Sequence, residues 1–281
     1  MNPMKFIDNL ITKFLLFVIL SVSFFPIFWM IFTSLKPEVL AFSIPPVLVF
    51  TPTLSNYISL FNPYWMTIRV DFMRYLVNSI VVSISSTALS SILSLFAAYS
   101  FTRFRFVGSK FLIFLILFMR MIPPITIAIP LYVMMYTLKL LDTHIALILT
   151  YTALNIPLTV WMMRSFIMDV PKEVEESALV DGCGVFQVLL RVTIPLALPG
   201  IITASIYAFI LSWNEFLLAL LLTLREATTL PLIAQLFRTA EGVQWGPMAA
   251  AGTLAILPPI VFAFLIQKYL VRGLTMGAVK G

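Results

Sequence analysis

The stretch 169–200, DVPKEVEESALVDGCGVFQVLLRVTIPLALPG, decides how the chain is organised. It is the longest interruption of the apolar pattern in the second half of the chain, and long hydrophobic runs flank it on both sides. A simple connection between two helices needs only a few residues. A polar segment of this length between hydrophobic runs therefore indicates a contact surface rather than a linker.

The composition excludes an ordinary soluble domain. Hydrophobic side chains make up 61% of the 281 residues and charged ones only 11%, whereas soluble domains carry about 25% charged residues. The sequence therefore predicts an all-α membrane protein that crosses the bilayer several times. The net charge of +6 fits loops that face anionic lipid, so nucleic acid is not indicated as a partner.

Six stretches are long and apolar enough to span a membrane, which takes about 20 residues. They are 14–35, 75–102, 111–138, 145–163, 200–224 and 248–267. Arg120 lies inside the third stretch and Glu215 inside the fifth. The first stretch is too long for the core of a signal peptide, about 7–15 residues, so we expect it to be a retained span.

The loop between the first two predicted spans, 36–74, is rich in proline. Proline fixes φ and removes a hydrogen-bond donor, so we expect an irregular segment with one short interfacial helix. Two interpretations of this loop stay open. It covers the neighbouring spans, or it docks a partner outside the cytoplasm.

The distribution of Lys and Arg predicts that both termini are cytoplasmic, because inner loops are enriched in these residues. With the N-terminus inside, the inner segments hold Lys5, Lys13, Arg103, Arg105, Lys110, Arg164, Lys172, Arg191, Lys268, Arg272 and Lys280. The outer segments hold Lys36, Arg69, Arg74, Lys139, Arg225 and Arg238. This orientation puts the segment 169–200, with the only cysteine Cys183, in the cytoplasm.

The segment 169–200 predicts two short helices. Asp169 and Pro171 are suited to a helix start, and the acidic residues that follow are favoured by the helix dipole. A narrow face of small side chains recurs at helical spacing, formed by Val174, Ser177, Ala178 and Asp181. Gly182 and Gly184 then break the chain before a second amphipathic helix that ends near Pro195 and Pro199. An interfacial helix pair would fit this composition, but its acidic first turn favours a protein-docking surface.

Glu176-Ser177-Ala178, Asp181-Gly182 and the downstream Pro195 and Pro199 resemble the EAA loop in membrane subunits of ATP-binding cassette importers. Further stretches resemble the carbohydrate-importer permeases similar to the six-span maltose permease subunit. They are 52–57 (PTLSNY), Asn78-Ser79, 120–124 (RMIPP), 212–216 (SWNEF) and the C-terminal 273–281 (GLTMGAVKG). The resemblance therefore covers nearly the whole chain.

The resemblance implies the type I importer permease fold, with a cytoplasmic N-terminus at 1–13, a permease domain at 14–270 and a cytoplasmic tail at 271–281. The loop 169–200 would hold the coupling helix, which is seated in a cleft of the ATPase. The residues implied in this contact are Glu176, Ser177, Ala178, Asp181 and Gly182, with Gly277, Lys280 and Gly281 of the tail. Ser177 and Gly184 depart from the usual Ala and Ser or Thr of the family.

The implied partners are a second homologous permease, two ATP-binding subunits, an extracytoplasmic solute-binding protein, a carbohydrate substrate and the lipid bilayer of a prokaryotic plasma membrane. The sequence has no G-x-x-x-x-G-K-[ST] loop, so no cofactor is expected on this chain and the partner subunits would use the ATP. It also lacks recognisable hydrolase and metalloprotease motifs, so an enzyme and a metal site are not predicted. The only histidine, His144, is expected to be solvated in a short loop.

Five residues are candidates for lining the translocation pathway: Asn78, Arg120, Trp213, Asn214 and Glu215. Charges inside apolar spans usually face a bundle interior or a water-filled cavity. Arg120 is read as pathway lining or as a structural charge, and Glu215 with its neighbours as a sugar contact or as interhelical packing. The alternative function is an ion-coupled secondary transporter that uses Arg120 and Glu215 as a relay.

Overall fold

The computed structural model of the chain describes residues 3–62, 71–239 and 242–277. The described residues are mainly helical, with one short antiparallel ribbon. In chain order the elements are α1 (Pro3–Ser34), α2 (Glu38–Ala41), α3 (Ser55–Phe61), α4 (Phe72–Arg103), α5 (Ser109–Met119), α6 (Pro124–Thr137), α7 (His144–Met168), α8 (Lys172–Val180), α9 (Val185–Val188), a π-helical turn (Leu189–Thr193), α10 (Ile194–Trp213), α11 (Leu217–Leu222), a 3₁₀ turn (Leu230–Leu232), α12 (Ile233–Leu236), β1 (Arg238–Thr239), β2 (Gly242–Val243) and α13 (Trp245–Gly277). Two compact units form, one from residues 1–73 and 233–257 and one from 74–232 and 258–281.

The described helices include five that are long and apolar enough to cross a membrane, or six if one bent pair counts as a span. The five are Thr12–Ser34, Phe72–Arg103, His144–Met168, Val185–Trp213 and Trp245–Leu265. The bent pair is α5 with α6. The predicted all-α, multi-span fold is confirmed.

The third predicted span is broken, which corrects its reading as one continuous helix through 111–138. α5 and α6 meet at an angle of 93° across the segment 120–123. A residue before proline is pushed away from the helical conformation, and Pro123 has an extended ψ of 134° before Pro124 starts α6. Arg120 is therefore the exposed residue that directly follows α5, in the break and not inside a helix.

The fifth predicted span also has different bounds. The second amphipathic helix does not end at Pro195 or Pro199, because the helix continues without interruption from Val185 to Trp213. The π-helical turn lies directly before Pro195, and a change of register of this kind accommodates a missing proline N–H in a membrane helix. The helix stops at Trp213, so Glu215 lies in the break before α11 and not inside a span.

Serines form a buried seam along α4 that the sequence analysis did not identify. The seam consists of Ser79, Ser83, Ser86, Ser90 and Ser94, each 1% exposed or less. Ser86 Oγ donates a hydrogen bond to Ser212 Oγ of α10 at 3.0 Å, and Asn155 Nδ2 of α7 donates to the same oxygen at 2.8 Å. Small side chains let membrane helices approach closely. This seam fixes the packing of α4 against α7 and α10.

The first unit contains two short helices in the loop 36–74, α2 and α3, where one was predicted. Asn56 of α3 closes the loop onto the end of α1, because its Nδ2 donates to the Ser34 carbonyl at 2.8 Å and to the Lys36 carbonyl at 2.7 Å. Glu38 Oε2 accepts the Gly246 N–H at 2.9 Å, which ties α2 to the start of α13. Residues 63–70 of this loop lie outside the described residues.

The last helix, α13, extends to Gly277 and so runs ten residues beyond 267, where the sixth span was predicted to end (277 − 267 = 10). The first part of the predicted tail 271–281 is therefore helical. Gly277 is the final described residue, and the predicted contacts of Lys280 and Gly281 lie outside the described residues.

Asp142 anchors the loop that follows α11. Its carboxylate accepts backbone N–H bonds from Leu224, Arg225, Glu226 and Ala227 at 3.0 to 3.1 Å. Partial burial alone would raise the pKa of the Asp142 carboxyl, but these backbone donors together outweigh burial and lower the pKa below its usual value. The ionised carboxylate therefore stabilises the loop.

We expect Asp142→Asn to lower the free energy of unfolding at neutral pH by about 1 kcal/mol, since it removes charge-assisted hydrogen bonds at a partly exposed site. A carboxyl whose folded-state pKa is lowered contributes stability above its unfolded pKa, about 3.9, and loses that contribution as the pH falls through the folded-state value. Thermal unfolding of the purified chain at neutral and acidic pH measures this. The difference in unfolding temperature between wild type and Asp142→Asn should narrow at low pH. The control variant Asp169→Asn, at an exposed position, should unfold at the same temperature as the wild type at both pH values. A difference that is unchanged by acid would contradict the role of the charge.

Candidate coupling site

Helix α8 begins at Lys172, directly after Pro171, and carries Glu173 and Glu175 in its first turn, where the helix dipole favours acidic residues. It ends in a glycine turn. Gly182 has a φ of +90°, its N–H bonds to the Leu179 carbonyl at 3.1 Å, and the Cys183 N–H bonds to the Ala178 carbonyl at 3.0 Å. This is the Schellman arrangement, which needs a left-handed residue. The predicted break at Gly182 is confirmed.

Glu175 lies on the buried side of α8. Its side chain is 7% exposed and forms an ion pair with Arg103 at the end of α4, whose side chain is 8% exposed, with 2.6 Å between Nε and Oε2. Arg103 Nη2 also donates to Glu175 Oε1 at 3.2 Å, and the Thr193 hydroxyl donates to the same oxygen at 2.5 Å. One carboxylate therefore connects α8 to α4 and to the π-helical turn before α10.

Arg103 also closes the end of α7. Its Nη2 donates to the carbonyls of Ile167 at 3.0 Å and Val170 at 2.8 Å. The last carbonyls of a helix lack intrahelical partners, and a cation satisfies them in charge as well as in hydrogen bonding. Ile167 and Val170 also belong to a buried apolar cluster, whose members are Ala98, Tyr99, Met163, Ile167, Val170, Leu189, Ala197 and Ala204. The base of α8 is thus fixed to the helix bundle by charge, hydrogen bonds and apolar packing.

The opposite face of α8 is exposed. Glu176, Ser177, Asp181 and Gly182 are exposed and Ala178 is half-buried, so all five predicted contact residues lie on accessible surface. The Ser177 hydroxyl donates to the Glu173 carbonyl at 2.7 Å, within its own helix, so it needs no hydrogen-bond acceptor from a partner protein. We refer to these five residues as the α8 face.

Apolar side chains extend the α8 face, and of these the sequence pattern indicated only Val174. Val174 is 45% exposed, Leu179 44% and Val180 87%. Contiguous exposed apolar side chains rimmed by acidic ones are typical of interaction surfaces. Their helical spacing was visible in the sequence, but only the burial of Glu175 shows which side of α8 points outward.

Gly184 starts the next helix without a side chain of its own to cap it. The Gln187 Oε1 accepts the Gly184 N–H at 3.0 Å, which supplies one half of a capping box. Phe186 is 59% exposed and stacks on Phe96 of α4, with 6.3 Å between the ring centroids. The departure from Ser or Thr at position 184 therefore leaves the helix start intact.

The predicted pathway residues fall into two groups. Arg120 and Asn214 are exposed and Glu215 is half-buried, and all three lie in helix breaks. Glu215 Oε1 caps α11 by accepting the Leu218 N–H at 2.9 Å. Trp213, in contrast, is 3% exposed and stacks on Phe209 at 5.6 Å. These residues are not brought together with Asn78 into one described cluster.

Asn78 is buried at the start of the serine seam. Its Nδ2 donates to the carbonyls of Glu226 at 2.8 Å and Thr228 at 2.9 Å, and its Oδ1 lies 2.7 Å from His144 Nε2. The expectation that His144 is merely solvated is therefore wrong, because its Nε2 is within hydrogen-bond distance of the buried Asn78 side chain. Among the described residues, no group of His, Cys, Asp and Glu is arranged to hold a metal ion.

The comparisons with known proteins agree with this architecture. The chain is 42% identical over 263 residues to the probable ABC transporter permease protein y4oR of Sinorhizobium fredii, covering 94% of this chain and 92% of the relative. It is 36% identical over 267 residues to the sulfoquinovosyl glycerol transport system permease protein SmoH of Agrobacterium fabrum, covering 94% and 91%. It is 32% identical over 259 residues to the trehalose/maltose transport system permease protein MalG of Thermococcus litoralis, covering 92% and 91%.

A solved structure is also similar, that of a bacterial ABC transporter involved in the import of the acidic polysaccharide alginate. It matches with a TM-score of 0.77 and 22% identity over 94% of this chain and 96% of that one, which supports the fold. The family model for binding-protein-dependent transport system inner membrane components matches residues 90–276, a range that includes α8 and the breaks after α5 and α10. The chain is therefore a multi-pass membrane protein that belongs to the family of inner membrane components of binding-protein-dependent transport systems.

Proposed function

We propose that this chain is a permease subunit of an ATP-driven importer of a carbohydrate, and that the α8 face is its contact with a cytoplasmic ATP-binding subunit. The substrate class rests on the relatives, since SmoH and MalG are named for the transport of a sugar glycoside and of disaccharides. The contact rests on one observation. α8 is fixed by a buried ion pair on one side and exposed on the other.

This arrangement suits the transmission of movement. A ligand drives a conformational change only through different binding free energies in the two states, so the ATP-binding subunit must hold the α8 face differently with and without nucleotide. The rigid anchor through Glu175 would pass a displacement of α8 to α4 and α10. ATP would be bound and hydrolysed by the partner, because this sequence contains no P-loop.

The proposed assembly contains a second homologous permease, two ATP-binding subunits and an extracytoplasmic solute-binding protein. Gly277, Lys280 and Gly281 would contact the ATP-binding subunit as a second, weaker attachment. The family description and the relatives' names support binding-protein-dependent transport. An ion-coupled transporter would have no use for an exposed cytoplasmic helix anchored in this way.

The helix breaks support a role in the pathway. Irregular backbone at membrane depth is tolerated only where it is buried in protein or lines a water-filled cavity. Arg120 lies in the break between α5 and α6, and Asn214 and Glu215 lie in the break between α10 and α11. We assign these three residues to the pathway lining, and Asn78 and Trp213 to the packing behind it.

The orientation has a direct test, because Cys183 is the only cysteine and lies half-exposed directly after α8. We expect a membrane-impermeant maleimide to label Cys183 in inside-out vesicles and not in right-side-out vesicles. Addition of the ATP-binding subunits should slow the labelling, since docking on α8 covers the loop. Labelling from the outer side would contradict the cytoplasmic position of the α8 face.

We expect Ala178→Glu and Gly182→Asp to reduce ATP-driven uptake by at least about tenfold, which corresponds to a loss of about 1.4 kcal/mol in coupling. A charged side chain at Ala178 obstructs close contact, and an Asp at Gly182 must adopt a positive φ that only glycine tolerates well. Uptake and ATP hydrolysis in proteoliposomes measure the effect, with chain abundance in the membrane as the check on insertion. Lys110→Glu, an exposed change outside α8, is the matched control. Normal uptake by both α8 variants would exclude this helix as the coupling element.

Breaking the ion pair between Arg103 and Glu175 should have a different effect from changing the α8 face. Glu175→Gln leaves Arg103 buried without its counter-charge, and breaking a buried ion pair costs about 3–5 kcal/mol. We expect faster maleimide labelling of Cys183 and weaker uptake, although the α8 face itself is unchanged. The double variant Arg103→Met with Glu175→Met removes both charges and should recover part of the stability. Unchanged Cys183 labelling in Glu175→Gln would show that the ion pair does not hold α8.

A further inference from the structure

A cavity in the first unit is not used by the proposed coupling or transport function. Its volume is about 500 Å³, within the range of about 300–1,000 Å³ that is usual for small-molecule sites. It is bounded by the last turns of α1, the loop after α1 and the first turns of α13. Its lining is mainly apolar and includes Trp29, Met30, Trp245, Met248 and one charged residue, Lys36.

Lys36 is unusual for its burial. It is only 3% exposed, and its ammonium lies over three aromatic rings, 5.1 Å from the centroid of Trp29, 4.8 Å from Phe32 and 5.6 Å from Phe50. Aromatic faces attract a cation, but each contact contributes only about 0.5–2 kcal/mol. A buried charge normally has an ionic partner as well.

No carboxylate of the described residues forms an ion pair with Lys36. Arg74 pairs with Glu226 and Arg103 with Glu175 elsewhere in the described ranges. Glu38, the acidic residue nearest to Lys36 along the chain, accepts the Gly246 N–H with Oε2, and its buried Oε1 has no hydrogen-bond partner. Lys36 is also fixed in position, because its backbone carbonyl accepts from Asn56. The cavity wall therefore holds a buried ammonium that contacts aromatic rings and forms no ion pair with a carboxylate of the described residues.

We propose that this cavity binds an anionic phospholipid, with the phosphate next to Lys36 and the start of an acyl chain against Trp29, Met30 and Met248. The charge selects an anion, and the apolar lining selects a ligand with a hydrocarbon body. Water-soluble anions would leave most of this lining without a partner. The site is distinct from the α8 face and from the helix breaks.

The neighbourhood of the cavity also favours lipid. Trp and Tyr are enriched where a membrane protein meets the headgroup region, and basic side chains near helix ends reach for lipid phosphates. Trp29 and Lys36 occupy such positions at the end of the first predicted span. On the same helix Phe25 is 58% and Phe28 60% exposed, so a hydrocarbon-facing surface leads towards the cavity.

The two lining tryptophans, Trp29 and Trp245, provide the measurement in a background that carries Trp65→Phe and Trp161→Phe, because Trp161 is 51% exposed on α7 and would otherwise be quenched by any surrounding lipid. The full-length chain is placed in nanodiscs of phosphatidylcholine, and lipid with brominated acyl chains, which quench tryptophan fluorescence on contact, is titrated in. We expect brominated phosphatidylglycerol to quench at about fivefold lower mole fraction than brominated phosphatidylcholine, the preference that one basic residue confers at a membrane surface. Equal quenching by the two lipids would overturn the proposal.

Three variants separate charge, space and unspecific attraction. Lys36→Met keeps the apolar stem and should abolish the preference for phosphatidylglycerol. Ala249→Phe fills the cavity and should reduce quenching by both lipids. Lys139→Met removes an exposed lysine elsewhere and should leave the preference unchanged. A preference that survives Lys36→Met, or that disappears in Lys139→Met, would refute the assignment.

Two other occupants are outcomes of the same assay. Inorganic phosphate that protects against quenching as well as phosphatidylglycerol does would identify a soluble anion and overturn the lipid. The titration is repeated on the importer assembled with its partner permease. Loss of the preference in the assembly would show that a protein surface covers the cavity, and would also overturn the proposal. Circular dichroism and thermal unfolding check that each variant is folded.

Discussion

The ion pair between Arg103 and Glu175 is the constraint on which the α8 end of the second unit depends. Two buried charges of opposite sign stabilise the fold only when their geometry is good and their remaining hydrogen-bonding groups are satisfied. Most of these groups are satisfied, since Thr193 donates to the carboxylate and the Ile167 and Val170 carbonyls accept from Arg103 Nη2. Arg103 Nε lies 2.6 Å from Glu175 Oε2 but makes no hydrogen bond of good geometry. A single contact thus determines where α4, α7, α8 and the start of α10 meet.

Because Glu175 holds the buried side of α8 in place, it also sets the orientation of the exposed side. A helix of nine residues has little stability of its own in water, because helix nucleation is unfavourable. α8 is held by its buried carboxylate and by the glycine turn at its end, so its outward face is preorganised for a partner. Binding to a preorganised surface loses less conformational entropy than binding to a flexible loop.

The family, the helical fold and the helix-breaking turn at Gly182 were accessible from the sequence, because hydropathy and short motifs act over local stretches. The breaks were partly accessible. Pro123 and Pro124 predict an interruption of the helix. Hydropathy alone, however, does not distinguish a straight span from one bent by 93°. Pro195 and Pro199 suggested a helix end that is not present, since a π-helical turn precedes Pro195 and Pro199 lies inside α10. Propensity predicts where proline disturbs a helix and not how the neighbouring helices compensate.

The long-range contacts could not be derived from the sequence. Arg103 and Glu175 are separated by 72 positions, and Asn78 and Thr228 by 150, so no local pattern connects them. The same holds for Lys36, which the charge count assigned to an outer loop and the structure encloses among aromatic rings. Such residues look like ordinary surface charges until the packing shows what surrounds them.

The serine seam on α4 bears on how the bundle is held together. Several of its hydroxyls bond within their own helix, as Ser86 does to the Ser83 carbonyl and Ser90 to the Thr87 carbonyl. The contacts that cross to other helices are between neutral hydroxyl and amide groups, each contributing about 1 kcal/mol or less in a membrane. Small side chains also interdigitate less between helices than large ones do. The packing of α4 against α7 and α10 therefore depends on several weak contacts acting together, and no single hydroxyl of the seam determines it.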